Sequence, residues 1–505
     1  MLRNVRRIIA VSVWLMTTLT LLGILRAAWT GRVQLVPALL AMNVGALLFI
    51  GLITLFFGRV YCSVICPMGI LQDIINWLSR HFRKADNRYS HPLLGHITRP
   101  LILIIGIWGL VEGIHWLPAL LDPWSEYGRM VTQGLWPVWL WVKGMLSYLN
   151  GPLGTWFVRE DFVTASVLAS AVALALALFV FVTAWIWGRT FCNTLCPVGW
   201  TLSWLSRFSL LKVAVDPEKC SRCGRCEAGC KASCLDAKHA RIDPSRCVSC
   251  FDCISACDRG AVSYRLRFAV GKRKAGEEPV HDSSRRNFLT TAAMLLPMPF
   301  LSKAQDIIEE GWIDENTYYR TEQLNADREQ KVKVYDRQGR LVVARYKPVM
   351  PPCTTTLFRY LDRCTSCHLC VVSCPSRILR PATTEYGPEG ILVPTVNYTT
   401  GFCEPDCNVC AEVCPTGAIQ LFSIGRKRRD KMGIAVFNSL TCVAVTDDVD
   451  CEACVRHCPH QAITMVVRGN RKVPKVSVNH CTGCGACEFY CPALPKAIHV
   501  EGLLS

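Results

Sequence analysis

The sequence predicts an α-helical membrane bundle of four transmembrane helices, followed by small α+β units that fold around bound cofactors. Three observations carry that prediction. Residues 1–200 contain four apolar runs, at about 8–29, 36–57, 100–121 and 162–187, each of about the 20 residues a helix needs to cross a bilayer, or more. Of the 30 cysteines in the 505-residue chain, 24 fall into six sets of four between Cys220 and Cys491. A basic, cysteine-free stretch separates the second set from the third, dividing the chain into 1–212, 213–265, 266–350 and 351–505.

The bundle comes first. Arg3, Arg6 and Arg7 precede the first run, and Arg80, Arg83, Lys84, Arg88 and Arg99 fill the loop between the second and third. Basic residues in short flanks mark the cytoplasmic side, so both ends of the bundle are expected there. Residues 122–160 then face outward, and Trp124, Trp136, Trp139, Trp141 and Trp156 predict an interfacial belt or a helix lying in the membrane surface.

A motif is duplicated in this half. Gly58-Arg59-Val60-Tyr61-Cys62-Ser63-Val64-Ile65-Cys66-Pro67-Met68-Gly69 recurs 130 residues later as Gly188-Arg189-Thr190-Phe191-Cys192-Asn193-Thr194-Leu195-Cys196-Pro197-Val198-Gly199. The shared pattern, G-R-x-[YF]-C-x3-C-P-x-G, suggests two parallel repeats of two helices with both motifs at the cytoplasmic surface. Amphipathic stretches follow each copy, Leu71 to Phe82 and Leu202 to Leu211, and are expected to lie along the interface. Cys62, Cys66, Cys192 and Cys196 fit a joint metal site, a redox-active dithiol relay, or small buried side chains.

The cysteine sets follow. Two runs, Cys220, Cys223, Cys226, Cys230 and Cys247, Cys250, Cys253, Cys257, are spaced C-x2-C-x2-C-x3-C. Three cysteines at i, i+3 and i+6 wrap three corners of a 4Fe-4S cubane, and the fourth of such a run usually ligates the neighbouring cluster. Set I is therefore Cys220, Cys223, Cys226 with Cys257, and set II is Cys247, Cys250, Cys253 with Cys230. Set III takes Cys364, Cys367, Cys370 with Cys414, and set IV takes Cys403, Cys407, Cys410 with Cys374. Set V is Cys442, Cys451, Cys454 with Cys491, and set VI is Cys481, Cys484, Cys487 with Cys458. Six clusters are expected, with one more at the duplicated motif if its four cysteines ligate. The units read as bacterial-ferredoxin-like α+β domains, too small to hold a core without their metal.

Two runs are irregular, opening C-x3-C-x2-C at Cys403 and C-x8-C-x2-C at Cys442. Prolines 375, 415, 459 and 492 follow the fourth cysteine of the C-terminal runs, whereas Lys231 and Asp258 stand there in the first two. Cys234 and Cys353 are left over, and Cys234 lies within reach of replacing Cys230. Zinc would leave the third cysteine of each triplet surplus, and triplets make poor disulfide frameworks. Cys364-Thr-Ser-Cys367-His368 matches a c-type haem attachment sequence, but a haem there would orphan Cys370 and Cys374.

The formal net charge is +17. Nucleic acid is not implied, because six oxidised cubanes with their thiolates bring roughly −12, leaving about +5. No phosphate-binding loop or dinucleotide fingerprint is present. In the basic stretch, Ser284-Arg285-Arg286-Asn287-Phe288-Leu289 leads into an apolar segment and Ser302-Lys303-Ala304, the pattern of a twin-arginine export signal. Pro297 and Pro299 oppose a rigid fifth span. From Lys331 to Tyr346, apolar and polar residues alternate around Asp336-Arg337-Gln338-Gly339, which predicts a β-hairpin.

The four runs, the doubled motif and the two cysteine runs after it, residues 1–265, resemble NapH-type membrane subunits, components of quinol dehydrogenases associated with periplasmic nitrate reduction. Residues 283–505, with a twin-arginine signal and Pro351-Pro352 before four cysteine sets, are similar to NapG/MauM-type periplasmic ferredoxins. The chain thus resembles a fusion of two polyferredoxin partners. That resemblance implies a multi-pass protein of the bacterial inner membrane, with residues 213–265 cytoplasmic and residues 351–505 periplasmic. It would pass electrons from the membrane quinone pool, with quinol as substrate, through 4Fe-4S clusters to a periplasmic oxidoreductase such as a nitrate reductase, or to its cytochrome. Quinol oxidation needs a proton acceptor, and Glu112 and His115, one turn apart near the outer end of the third run, are the candidate residues. Two alternatives stay open: an electron-donating assembly or activation factor for a metalloenzyme, and a conduit from cytoplasmic donors to an exported reductase. Whether the chain is itself an enzyme is equally open.

Overall fold

The computed structural model describes residues 2–82, 101–102, 104, 116–147, 167–267, 332–335, 340–447, 449–468 and 471–503. Glu112, His115, the twin-arginine-like segment and most of the third apolar run lie outside the described residues.

Helix α1 (Leu2–Leu21) takes up the first run, and its 20 residues rise about 30 Å. The second run departs from the expected single helix. It forms α3 (Leu35–Leu40), preceded by α2 (Trp29–Arg32), and then a separate α4 (Val44–Phe57). The break has a local cause: Met42 turns left-handed at φ 54°, and Asn43 caps the new helix, its Oδ1 accepting from Ala46 N at 3.1 Å. Then come α5 (Tyr61–Val64), α6 (Pro67–Phe82), α7 (Trp116–Leu121) and α8 (Pro123–Arg129). A π-helical stretch, Met130–Leu135, joins α8 to α9 (Trp136–Ser147). After α10 (Val167–Trp187) a second π turn, Phe191–Leu195, leads to α11 (Pro197–Ser206). Among the described residues α10 alone is long and apolar enough to cross a membrane, and α4 is apolar but shorter, at 14 residues.

Two further expectations change. Helix α6 packs against α1, α8 and α10 with Ile70, Gln72, Ile75, Asn76 and Ser79 buried, so it belongs to the bundle. The second amphipathic stretch ends early, α11 stopping at Ser206 and Leu211 opening a strand. Nor is Trp124 part of a belt: it is fully buried, against Gly31.

Each cysteine unit is framed by two-stranded antiparallel sheets. In the first, β1 (Leu211–Val215) pairs with β4 (Val262–Leu266), and β2 (Leu235–Asp236) with β3 (Arg241–Ile242). Strands β5 (Val332–Tyr335) and β6 (Leu341–Arg345) form the expected hairpin, with a bulge at Val334/Tyr335. It docks on the C-terminal unit, where Lys496 N donates to Val342 O at 2.8 Å. Beyond lie β7 (Leu379–Pro381) with β8 (Pro394–Val396), β9 (Gly433–Phe437) with β12 (Ile498–Gly502), and β10 (Ile463–Arg468) with β11 (Arg471–Val476).

The two cysteine-bearing parts sit at opposite ends of α1. At its start, Arg7 pairs with Asp252 at 3.0 Å, and nearby Phe57 O accepts from Ser249 Oγ and Tyr264 OH. Past its end, Gly23 faces Val372 and Arg32 donates to Glu412 O at 2.7 Å. One hydrophobic core runs between these ends, from Val248 and Phe251 through Tyr61, Met68 and Phe191 to Trp124, Leu369 and Val413.

Candidate metal centres

The regular runs share one backbone device. The residue before the second cysteine is left-handed in four of them: Arg222, Ser249, Ser366 and Gly483, with φ between 51° and 75°. So is the residue after it: Gly224, Phe251, His368 and Gly485, with φ between 61° and 83°. For the five non-glycines this conformation is costly, and it curls the loop so that successive thiols face one space. A one-turn helix then carries the third cysteine, as in Arg225–Ala228, Asp252–Ser255, Leu369–Ser373 and Ala486–Tyr490. The irregular runs differ at that point, with Asn408 and Glu452 at φ −128° and −119°.

The structure brings each expected set together, with the fourth cysteine supplied by the neighbouring run. Cys226 lies within electrostatic reach of Cys220 and Cys257, and Cys253 of Cys250, Cys247 and Cys230. Cys414 joins Cys364, Cys367 and Cys370, while Cys374 joins Cys403 and Cys410. Cys491 joins Cys442, Cys451 and Cys454, while Cys458 joins Cys481, Cys484 and Cys487. All four set I cysteines line one cavity of about 280 Å³, and all four of set VI line another. Backbone N–H groups of Ala435 and Ala462 point at the sulfurs of Cys481 and Cys458, at 3.5 and 3.3 Å. Among the described residues no group of three or more Cys, His, Asp or Glu side chains closes on a single ion, whereas a cubane spreads its four thiolates over a larger cage. This donor set fits 4Fe-4S clusters, which when bound supply one-electron redox chemistry.

The spatial order differs from the order in sequence. Set I adjoins set II through Cys226 and Cys253. Set III adjoins set IV through Cys370 and Cys410. Set IV then meets set VI, not set V, because Cys403 N donates to Cys484 O at 2.9 Å. Set V is outermost, beside the exposed Leu440 and Val449.

Of the leftover cysteines, Cys234 Sγ sits 3.5 Å from Cys230 Sγ, giving set II a fifth thiol, and Cys353 is buried in the core near Cys410. His368 has both ring nitrogens engaged: Nε2 donates to Leu392 O at 2.8 Å and Nδ1 accepts from Gln133 Nε2 at 3.2 Å. Burial pushes its pKa down to about 4. The side chain is committed to packing, which leaves no nitrogen for a haem iron.

The duplicated motif forms one crossed assembly. Arg59 of the first copy donates to Cys192 O of the second at 3.3 Å, and Arg189 of the second donates to Cys62 O of the first at 2.8 Å. Pro67 and Pro197 open α6 and α11. Gly69 and Gly199 lie so close to the Cys62 and Cys192 carbonyl oxygens that a methyl group would collide with them. All four motif cysteines are buried, and each is within electrostatic reach of the other three.

Sequence reading missed the polar groups that hold these parts. Asp73 pairs with Arg6 at 2.9 Å, Arg189 at 2.7 Å and Lys231 at 2.9 Å, and Lys231 also reaches Asp252 at 3.1 Å. Lys231 therefore stands where a proline was expected because it clasps the first cysteine unit to the bundle. Glu126 on α8 was missed too. It is fully buried, neither carboxylate oxygen has a hydrogen-bond partner among the described residues, and burial pushes its pKa up to about 8. Thr132 Oγ1 and Thr365 Oγ1 are likewise without a hydrogen-bond partner among the described residues, while Trp124 is turned toward the Cys367 sulfur. No sequence signal marks this group beyond the acidic residue itself.

A family model described as a 4Fe-4S binding domain matches residues 39–85 and 170–215, the two motif copies, and one described as a 4Fe-4S dicluster domain matches residues 449–494. The methylamine utilization ferredoxin-type protein MauM of Methylorubrum extorquens is 35% identical over 166 residues, 31% of this chain and 74% of the relative. The ferredoxin-type protein NapG of Escherichia coli is 32% identical over 171 residues, 30% of this chain and 68% of the relative. Its ferredoxin-type protein NapH is 27% identical over 192 residues, 38% of this chain, which thus spans about half of that relative, 53%. No solved structure matches the chain. With its cysteine sets gathered as cubane cages and MauM and NapG aligned over more than two thirds of their lengths, the chain belongs to the family of ferredoxin-type 4Fe-4S electron-transfer proteins.

Proposed function

We propose that the protein is a multi-pass subunit of the bacterial inner membrane that takes electrons from quinol and delivers them to a periplasmic oxidoreductase, a nitrate reductase being one such partner. The observation that carries this reading is the placement of cysteine sets at opposite ends of α1, in a bundle whose α10 is long and apolar enough to cross a bilayer. Residues 213–265 then lie on the cytoplasmic side and 351–505 on the periplasmic side. The likeness to NapH supports membrane association. The 24 cysteines of sets I to VI are the proposed ligands of six clusters.

Oxidation of a quinol releases two protons with its two electrons. Glu126, buried and without a hydrogen-bond partner among the described residues, is suited to accept a proton at the outer end of the bundle. Glu112 and His115, the acceptors proposed from the sequence, lie outside the described residues and remain candidates beside it.

The test is anaerobic addition of a short-chain quinol to the full-length protein in proteoliposomes, following cluster reduction by EPR. Reduction within the mixing time supports the reading. If only a low-potential soluble donor on the cytoplasmic side reduces the clusters, the protein is instead a conduit from cytoplasmic donors.

A further inference from the structure

Set I differs from the other five sets in where it lies. Cys223 is exposed, whereas every other cysteine of the chain is buried or half-buried, so one ligand of this set stands at the protein surface. The described residues that line its cavity all fall between Lys219 and Val262, and none comes from the bundle. It is set II that meets the bundle, where Lys231 pairs with Asp73 of α6 and Asp252 with Arg7 of α1. Set I is therefore the outward cage of its unit, accessible to a soluble molecule.

That face carries charge of one sign. Lys219, Arg222 and Arg225 each precede a ligand, Cys220, Cys223 and Cys226, and Arg259 stands two residues after the fourth, Cys257. All four cations are exposed and line the cavity, against a single carboxylate, Asp258. Asp258 pairs with Arg225, which leaves the side chains of Lys219, Arg222 and Arg259 without an ion pair or hydrogen bond among the described residues. Compensation of a cubane's own negative charge does not account for this ring. A cluster in set V would carry the same charge, yet the loop between Cys442 and Cys451 holds three aspartates and no lysine or arginine, and Glu452 follows it. Arg471 reaches that loop, but on the Val445 carbonyl. The two outward cages present opposite signs, as recognition of different partners requires.

We infer that the set I face, ringed by Lys219, Arg222, Arg225 and Arg259, is the docking surface for a small acidic one-electron carrier protein. Charge of one sign around a redox centre steers an oppositely charged partner and raises its association rate by about 10- to 1,000-fold. The exposed Cys223 lets the carrier's redox group come up to the cage itself. One electron moves in each encounter: the reduced carrier gives it up and the centre held by set I receives it, with no bond made or broken. Anionic lipid is the competing claimant for a basic face, and a cavity walled without bundle residues favours the carrier. This surface adds a soluble partner to the quinol of the proposed function, and it depends neither on quinol nor on the orientation in the membrane.

The test is stopped-flow reduction of the full-length protein in phosphatidylcholine nanodiscs, which leave both faces open. Photoreduced flavodoxin serves as the acidic probe and the methyl viologen radical as a small cationic one. The flavodoxin rate is expected to fall about tenfold or more between about 20 and about 300 mM salt. Lys219→Gln/Arg259→Gln, which keeps every ligand, should slow flavodoxin about tenfold at low salt while leaving the iron content and the viologen rate unchanged. Asp258→Asn, which frees Arg225, should speed flavodoxin instead. A flavodoxin rate insensitive to salt, or equal in the wild type and both variants, overturns the inference, as does reduction by viologen alone. A salt effect that appears only when phosphatidylglycerol replaces phosphatidylcholine assigns the cations to lipid and overturns it as well. Failure of quinol to reduce the protein would leave this docking face standing.

Discussion

Lys231 and Asp73 form a buried ion pair, Nζ to Oδ2 at 2.9 Å, that ties the first cysteine unit to helix α6. The same ammonium reaches Asp252, so one side chain satisfies a carboxylate on each side of the junction. Removing one member of a buried ionic group leaves the others uncompensated, at a cost of about 3–5 kcal/mol. Lys231→Met is expected to loosen residues 213–265 by that order, read as faster proteolysis within the segment and a lower urea midpoint. An unaltered midpoint would show that the clasp is dispensable.

Acid should act on the same junction. Burial works to raise the Asp73 carboxyl, but Arg189, Lys231 and Arg6 outweigh it and hold the group well below the usual carboxylate range. A carboxylate whose folded pKa is depressed stabilises the fold above its unfolded pKa and loses that contribution as pH falls through the folded one. The contribution is therefore complete at neutral pH and declines below about pH 4. Melting curves from pH 6 to pH 3 should fall more steeply for the wild type than for Asp73→Asn, which lacks the group from the start.

Glu126 has the opposite sign. Its folded pKa is raised to about 8 by burial, so its stabilising protonated form prevails at low pH, and stability declines as pH rises from about 4.3 toward 8. Glu126→Gln should flatten this decline and melt higher than wild type at pH 9. Quinol-driven reduction should slow by about tenfold or more in the variant, with dithionite reduction unchanged. Equal quinol rates would take Glu126 out of the proton path.

The crossed repeats make a steric prediction. A methyl group at Gly69 or Gly199 meets a carbonyl oxygen of the motif, whereas one at Gly51 on α4 meets nothing within 4 Å. Overpacking of a tight site costs about 1–3 kcal/mol, so Gly69→Ala and Gly199→Ala should each lower the melting temperature. Gly51→Ala should be neutral or stabilising, as is usual within a helix.

The grouping of the cysteines was legible because its information is local: three thiols in a short run and a donated fourth are written within some fifty residues. The duplicated motif was legible as a repeat whose four cysteines are candidates for one site, but the crossing of Arg59 and Arg189 was not, since it depends on two segments 130 residues apart. Hydropathy marked the second apolar run correctly yet could not weigh Asn43, whose cap divides it. Trp124 read as a surface aromatic because its composition suits an interface, while its burial depends on Gly31 and a cysteine unit more than two hundred residues away. Lys231 looked like an exception to a proline rule, and its reason lay in two aspartates on other elements.

The exchange of the fourth cysteine between neighbouring runs makes each pair of sets a closed link, neither half of which can be completed without the other. A substitution at Cys458 injures the cage of Cys481, Cys484 and Cys487 rather than its own run's, and one at Cys491 injures that of Cys442, Cys451 and Cys454. On the proposed ligation, the loss of a single iron–sulfur centre therefore points to a defect in the neighbouring run as readily as to one in its own.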